Sequence, residues 1–260
     1  MISHHPLNTK NSRHTRWVKG THWIITLSFL ALAYSGFFIL MVHPRLYWGE
    51  AGNSLTPALF ELPISRNYHH GGWKDSSTFF DDPGSPVSMS RNFAMFNKNS
   101  WARSLHFLAA WFLVLTVAVY LLTGIFTGHF RNHVWPRVSE FRLRLFWRDL
   151  INHLRMRIPS ATYGPQYGLL QKCTYSLVIF FLLPVTVLTG FTMSPAITAA
   201  YPFLLKIFFG AQSARTIHFF ASALLLLFLL VHVVMVIKSG FKKQIRAMTI
   251  GKEHEKESTN

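Results

Sequence analysis

His218 and His232 lie 14 residues apart within one apolar segment, Ile217 to Ile237. An imidazole in such a segment is costly, which makes each a candidate for function. At about 3.6 residues per turn, that spacing brings both rings to one face of a helix, about 21 Å apart along its axis. One histidine near each membrane surface suits two stacked haems, each iron taking its second axial imidazole from another helix. His22 and His106 are the candidates for those second ligands. The chain has one cysteine, Cys173, and no Cys-x-x-Cys-His sequence, so covalent c-type attachment is excluded and the haems are expected to be b-type. The same count excludes a protein-borne iron–sulfur cluster, which normally needs four thiolates.

The elements that must hold these histidines are long apolar stretches. Half of the 260 residues are hydrophobic, and four stretches, near 17–42, 105–127, 169–193 and 217–237, are long enough to cross a hydrocarbon core of about 30 Å. The fold expected is an all-α membrane protein, a four-transmembrane-helix bundle with haems between the helices. Residues 1–250 read as one membrane domain, and 251–260 as a polar tail. The first stretch leads into His43-Pro44-Arg45 rather than a small-residue cleavage site, so it is read as a retained helix and not a signal peptide.

Cations orient the bundle, because Lys and Arg in short flanking segments stay on the cytoplasmic side. The N-terminal segment has Lys10, Arg13, Arg16 and Lys19; the second connection, 128–168, carries Arg131, Arg137, Arg142, Arg144, Arg148, Arg155 and Arg157; and the C-terminal segment has Lys238, Lys242, Lys243 and Arg246. Arg45 to Lys98 balances five basic against five acidic residues. Both termini are therefore expected in the cytoplasm of a bacterial inner membrane, with the first and third connections outside. This topology accounts for the net charge of +16 without nucleic acid as a partner.

With alternating helix directions, His22 comes to the depth of His232 on the cytoplasmic side, and His106 to that of His218 on the outer side. Each pair can share one haem. A single intramembrane histidine can equally be a hydrogen-bonded structural residue; four in two matched layers is a far more specific pattern. Lys19, Arg103 and Arg215 each precede a histidine by three residues, one turn nearer the surface, where haem propionates need partners. Interfacial anchoring explains those cations as well. Ser35-Gly36, Thr123-Gly124 and Thr189-Gly190 mark places where a helix or a flat macrocycle can approach closely. His129 and His133, just past the second helix, are rival ligands or quinone-site groups, and a metal site at His69-His70 lacks further spaced ligands.

The first connection, 43–102, is too long for a simple link and carries aromatics; it is read as a partner-docking segment or a self-contained cap. In the second connection, Leu143, Phe146, Trp147, Leu150, Ile151, Leu154 and Ile158 keep helical spacing among arginines. They predict an amphipathic helix on the cytoplasmic surface, bound to anionic membrane lipid.

The motifs Thr21-His22-Trp23, His43-Pro44-Arg45-Leu46-Tyr47-Trp48-Gly49, Leu105-His106-Phe107, Leu170-Gln171-Lys172, Leu188 through Pro195, and Arg215-x-x-His218 through His232 cover nearly the whole chain. By them it resembles the bacterial di-haem cytochrome b family of formate dehydrogenase gamma subunits and nickel–iron hydrogenase cytochromes b, and is most similar to thiosulfate-reductase-type cytochrome b subunits. The resemblance implies two b-type haems on the pairs given above. It also implies electron transfer between the quinone pool and a periplasmic catalytic subunit, molybdopterin-containing. By the same analogy, quinone meets the chain near Lys19, Arg16, His129 or Tyr167. The rival readings are a stand-alone quinol-oxidising cytochrome b that reduces oxygen species or ferric iron, and a non-redox membrane anchor.

Overall fold

A computed structural model describes residues 15–53, 56–64, 99–136, 147, 151 and 169–249. Its frame is four helices long and apolar enough to cross a membrane: α1 (Arg16–Val42), α2 (Asn99–Phe126), α3 (Leu169–Thr192) and α6 (Ala211–Lys238). The protein is an all-α, multi-pass membrane bundle. α1 packs along α2, and α3 along α6. Lipid-facing positions stay apolar, as at Leu27, Leu108, Leu115 and Leu230, all exposed.

Two helices begin about a turn and a half before the apolar stretches that announce them. α2 starts at Asn99 rather than Leu105, and α6 at Ala211 rather than Ile217. Hydropathy marks only the hydrocarbon part, whereas backbone hydrogen bonding carries each helix on through polar residues. α3 contains a π-helical turn, Val178–Leu182, just before Pro184. Proline has no N–H to donate and its ring crowds the preceding turn, so the ladder widens there. A second π-helical turn, Phe130–Val134, follows α2, and its Phe130 ring lies against Gly124, where any Cβ would collide with it.

The start of α1 and the end of α6 come to one end of the bundle, here the terminal end. The indole N–H of Trp23 in α1 donates to the Met248 carbonyl (3.1 Å) of α7 (Phe241–Thr249), a basic helix that turns off α6 at Gly240, where φ is +100°. At the opposite end, the loop end, β1 (Arg45–Leu46) and β2 (Phe60–Glu61) form a short antiparallel hairpin. The third connection there folds into α4 (Pro195–Ala200) and α5 (Phe203–Ile207). The amphipathic helix expected in the second connection lies outside the described residues except for Trp147 and Ile151, both exposed. His69 and His70 lie outside them as well.

Between the two ends, Leu113 and Val117 of α2, Val178, Leu182 and Leu183 of α3, and Leu225 of α6 close into a buried cluster. Ile25, Phe29 and Leu32 of α1 pack against it, giving an apolar layer midway along the bundle.

Candidate functional site

The four histidines meet in two pairs. At the terminal end the rings of His22 and His232 have centroids 6.4 Å apart at 61°; at the loop end His106 and His218 show the same separation and angle. With metal–imidazole bonds of about 2 Å on either side, two axial rings sharing one iron have centroids about 6 Å apart. Both pairs therefore have the spacing of bis-imidazole ligation, and all four side chains are partly exposed. Among the described residues, no cluster of three or more His, Cys, Asp or Glu competes as a metal centre.

Hydrogen bonding decides which nitrogen the loop-end rings can offer. The Ser35 hydroxyl donates to the Ala31 carbonyl (2.7 Å), so its oxygen accepts from His106 Nδ1–H at 3.0 Å. The Thr189 hydroxyl likewise donates to the Val185 carbonyl (2.7 Å) and accepts from His218 Nδ1–H at 3.0 Å, which the Thr186 carbonyl also accepts at 3.0 Å. Both rings are held as the tautomer with a lone pair on Nε2, the arrangement usual for a metal-ligating histidine. Ser35 and Thr189 are fully buried. The glycine after each hydroxyl residue lets the helix reach the ring: a Cβ on Gly36 would lie 3.3 Å from His106 Cε1, and one on Gly190 3.6 Å from His218 Cε1.

The terminal-end pair is wedged by aromatics. Phe228 stacks on His232 at 5.7 Å, Tyr175 of α3 lies 6.5 Å from the same ring, and Trp23 stands edge-on to His22 at 5.7 Å. Lys19 is partly buried one turn before His22, and Arg16 is exposed at the start of α1. His129 packs edge-on against Trp17 (5.3 Å), which also meets Tyr120. Tyr167 and the side chain of His133 are outside the described residues. Lys172 of α3 is buried. The long apolar window that announces α3 gives no hint of this, although the residue falls within a motif carrying the family resemblance.

At the loop end, Arg103 is exposed, whereas the Arg215 guanidinium turns to the hairpin and donates to the His43 carbonyl. The hairpin is bolted to the start of α6. The Tyr47 carbonyl accepts from the Thr216 hydroxyl (2.6 Å), Gly49 N–H donates to Ser213 Oγ (2.6 Å), and the Gly49 carbonyl accepts from Gln212 N–H (3.0 Å). Gly210, at φ +109°, is what permits this approach, since a Cβ there would meet the Gly49 carbonyl. Arg45, passed over when the sequence is read for cations one turn from a histidine, is buried in this cap. Only its place in the His43-Pro44-Arg45 motif signalled it. Burial, then the charges of Arg215 and Arg45, hold the His43 imidazole down to about 4, so it is neutral at physiological pH.

A four-helix membrane bundle with facing imidazoles at two depths is the architecture of a b-type cytochrome. The chain belongs to the prokaryotic cytochrome b561 family, whose profile matches residues 13–251, and b-type haem is the cofactor of that class. It is similar to the putative protein-methionine-sulfoxide reductase subunit YedZ1 of Azospira oryzae, at 25% identity over 223 residues, 86% of this chain and 89% of that protein. No solved structure matches the chain.

Proposed function

We propose that the chain is the di-haem membrane subunit of a two-part oxidoreductase, exchanging electrons between the quinone pool and a catalytic, molybdopterin-containing partner. The observation that carries this reading is the two imidazole pairs, one near each end of the bundle, each spaced at 6.4 Å. His22 and His232 would hold one b-type haem, and His106 and His218 the other. Bound there, haem iron supplies one-electron exchange.

The chain's own groups do the positioning. Ser35 and Thr189 orient His106 and His218 through Nδ1 and keep Nε2 for the metal. The layer of Leu113, Val117, Leu182 and Leu225 excludes water between the two levels. Near the terminal end, Arg16, Lys19 and His129 are polar groups offered to a quinone, with Tyr167, outside the described residues, a further candidate from the sequence, and the His129 imidazole has the chemistry to take a quinol proton. The name of the Azospira oryzae relative, a reductase subunit, supports a separate catalytic partner. The cation asymmetry supports a bacterial inner-membrane location with both termini cytoplasmic, so that the loop end and connection 43–102 face that partner in the periplasm. Residues 1–250 act as one membrane domain.

The test is a reduced-minus-oxidised spectrum with haem quantitation on the purified chain and on His106→Ala and His232→Ala. Two b-haems per chain, falling to about one in either variant, are expected. A well-folded wild type without haem would leave the chain a mere anchor. Full turnover by the purified chain alone, with quinol and oxygen, would remove the need for a partner.

A further inference from the structure

The terminal end carries more positive charge than the chain can balance from its own residues. Trp17 of α1 meets Tyr120 and His129, and the Ser176 hydroxyl of α3 donates to the Val134 carbonyl (3.3 Å), so the end of α2 and the start of α3 join the start of α1 there. The segments that extend or connect these helix ends, 1–19, 127–172 and 237–260, hold 18 Lys and Arg against five Asp and Glu. Even with every one of those acids paired, most of the cations need counter-charge from outside the chain. Residues 238–249, the end of α6 and all of α7, contribute Lys238, Lys242, Lys243 and Arg246 and no acid.

α7 sorts its side chains by face. At about 3.6 residues per turn, Phe241, Ile245 and Met248 share one side, while Lys242, Lys243 and Arg246 cluster on the other. Ile245 and Met248 are partly buried, and the three cations are exposed. Gly240, at φ +100°, breaks the line of α6 and turns the chain aside. The far end of α7 is then pinned by the Trp23 indole N–H, which donates to the Met248 carbonyl (3.1 Å). Trp23 lies seven residues into α1, about 10 Å inside its start. The helix therefore lies across the bundle where the apolar spans begin instead of projecting into water. Beside its cations, Ile237 and Phe241 are exposed apolar groups. A helix of this kind lies in the plane of the membrane interface, its apolar side toward acyl chains and its charges among headgroups. A soluble anion would meet the charge and leave Ile237 and Phe241 in water, whereas an anionic phospholipid offers phosphate and acyl chain together at that depth.

We propose that α7 and the end of α6 form a binding site for anionic phospholipid. Lys242 and Arg246, one turn apart, take the headgroup phosphate, and Ile237 and Phe241 pack on the acyl chains. The site is independent of the haem ligation proposed above.

The full-length chain is purified in detergent and titrated with phosphatidylglycerol or phosphatidylcholine. Native mass spectrometry counts the bound lipid, and amide exchange over 241–249 locates it. The first phosphatidylglycerol should bind about 10-fold tighter than phosphatidylcholine or more, the preference that two cations near an anionic headgroup give. Its binding should slow exchange in α7. Lys242→Gln/Arg246→Gln should lose both effects, and Lys242→Arg/Arg246→Lys should keep both. Should the double Gln variant fail to accumulate, Lys242→Gln and Arg246→Gln decide singly, each losing part of the preference. Equal binding of the two lipids by the wild type overturns the proposal. An undiminished preference in the Gln variants also overturns it, because the lipid then sits on other cations. Inorganic phosphate that slows exchange in α7 as much as phosphatidylglycerol does would assign the cations to a soluble anion and overturn the lipid site. The chain's own tail is the remaining rival occupant. If Glu253→Gln/Glu255→Gln/Glu257→Gln speeds exchange in lipid-free α7 as much as Lys242→Gln/Arg246→Gln does, the cations hold those carboxylates, and the proposal falls.

Discussion

A Cβ added at Gly36 would press on His106 Cε1 at 3.3 Å, inside ordinary contact distance, whereas one at Gly190 would rest at 3.6 Å from His218 Cε1. The two glycines occupy equivalent places, each following the hydroxyl residue that accepts from a histidine Nδ1, but they do not have equal room. Gly190→Ala is expected to keep its haem complement. Gly36→Ala must displace the His106 ring by a few tenths of an ångström, and, on the ligation proposed above, haem affinity at the loop end should fall about 10-fold or more, the effect of disturbing a ligand's supporting shell. Haem-to-protein ratios after dilution would decide it; equal retention in both variants would mean that the ring has slack. The sequence marks Ser35-Gly36 and Thr189-Gly190 as places of close approach without saying what approaches. Their partner is an imidazole on a crossing helix, and the meeting depends on helix rotation, which spacing within one helix does not define. The burial of Arg45 was hidden for a related reason, because it comes from a hairpin fastened to the start of α6.

At the scale of elements, the hairpin is the least predictable piece, and it carries a pH response of its own. Four apolar stretches announce four helices, but two-residue strands within a polar connection carry no readable alternation, and the cap emerges only through bonds to polar residues at the start of α6. His43 sits inside that cap with its pKa lowered to about 4, against 6.5 for a free histidine. Between those values the undocked segment binds a proton that the docked one refuses, so docking is fully stable above pH 6.5 and weakens as pH falls toward 4. Amide exchange in the segment 43–53, corrected for its intrinsic pH dependence, should therefore speed up between pH 7 and pH 5. His43→Asn, which removes the titrating ring, should flatten that response; a wild-type response already flat would mean that the ring is as readily protonated docked as free. The π-helical turn before Pro184 belongs to this scale too, since proline in an apolar run foretells a fault in the ladder but not whether it becomes a kink or a widened turn.

For the whole molecule, up-and-down topology converts two intervals in the sequence into two depths in the membrane. That much was legible: an odd–even alternation of helix direction brings His22 level with His232 and His106 level with His218, and the rings indeed lie in those pairs. The two levels are separated by a buried apolar layer and draw their surroundings from different ends of the bundle. They should therefore fail separately. If quinol delivers electrons at the terminal end, His106→Ala should still show rapid quinol-driven reduction of its remaining haem, while His232→Ala, retaining only the loop-end haem about 21 Å away along α6, should be reduced at least 100-fold more slowly. Lys19→Ala or His129→Ala should slow the first step without lowering haem content. Stopped-flow absorbance with a water-insoluble quinol in proteoliposomes measures all four. Fast reduction in His232→Ala and slow reduction in His106→Ala would move quinol to the loop end, and unchanged rates in both Lys19→Ala and His129→Ala would remove those residues from the quinone site while leaving the haem pairing untouched.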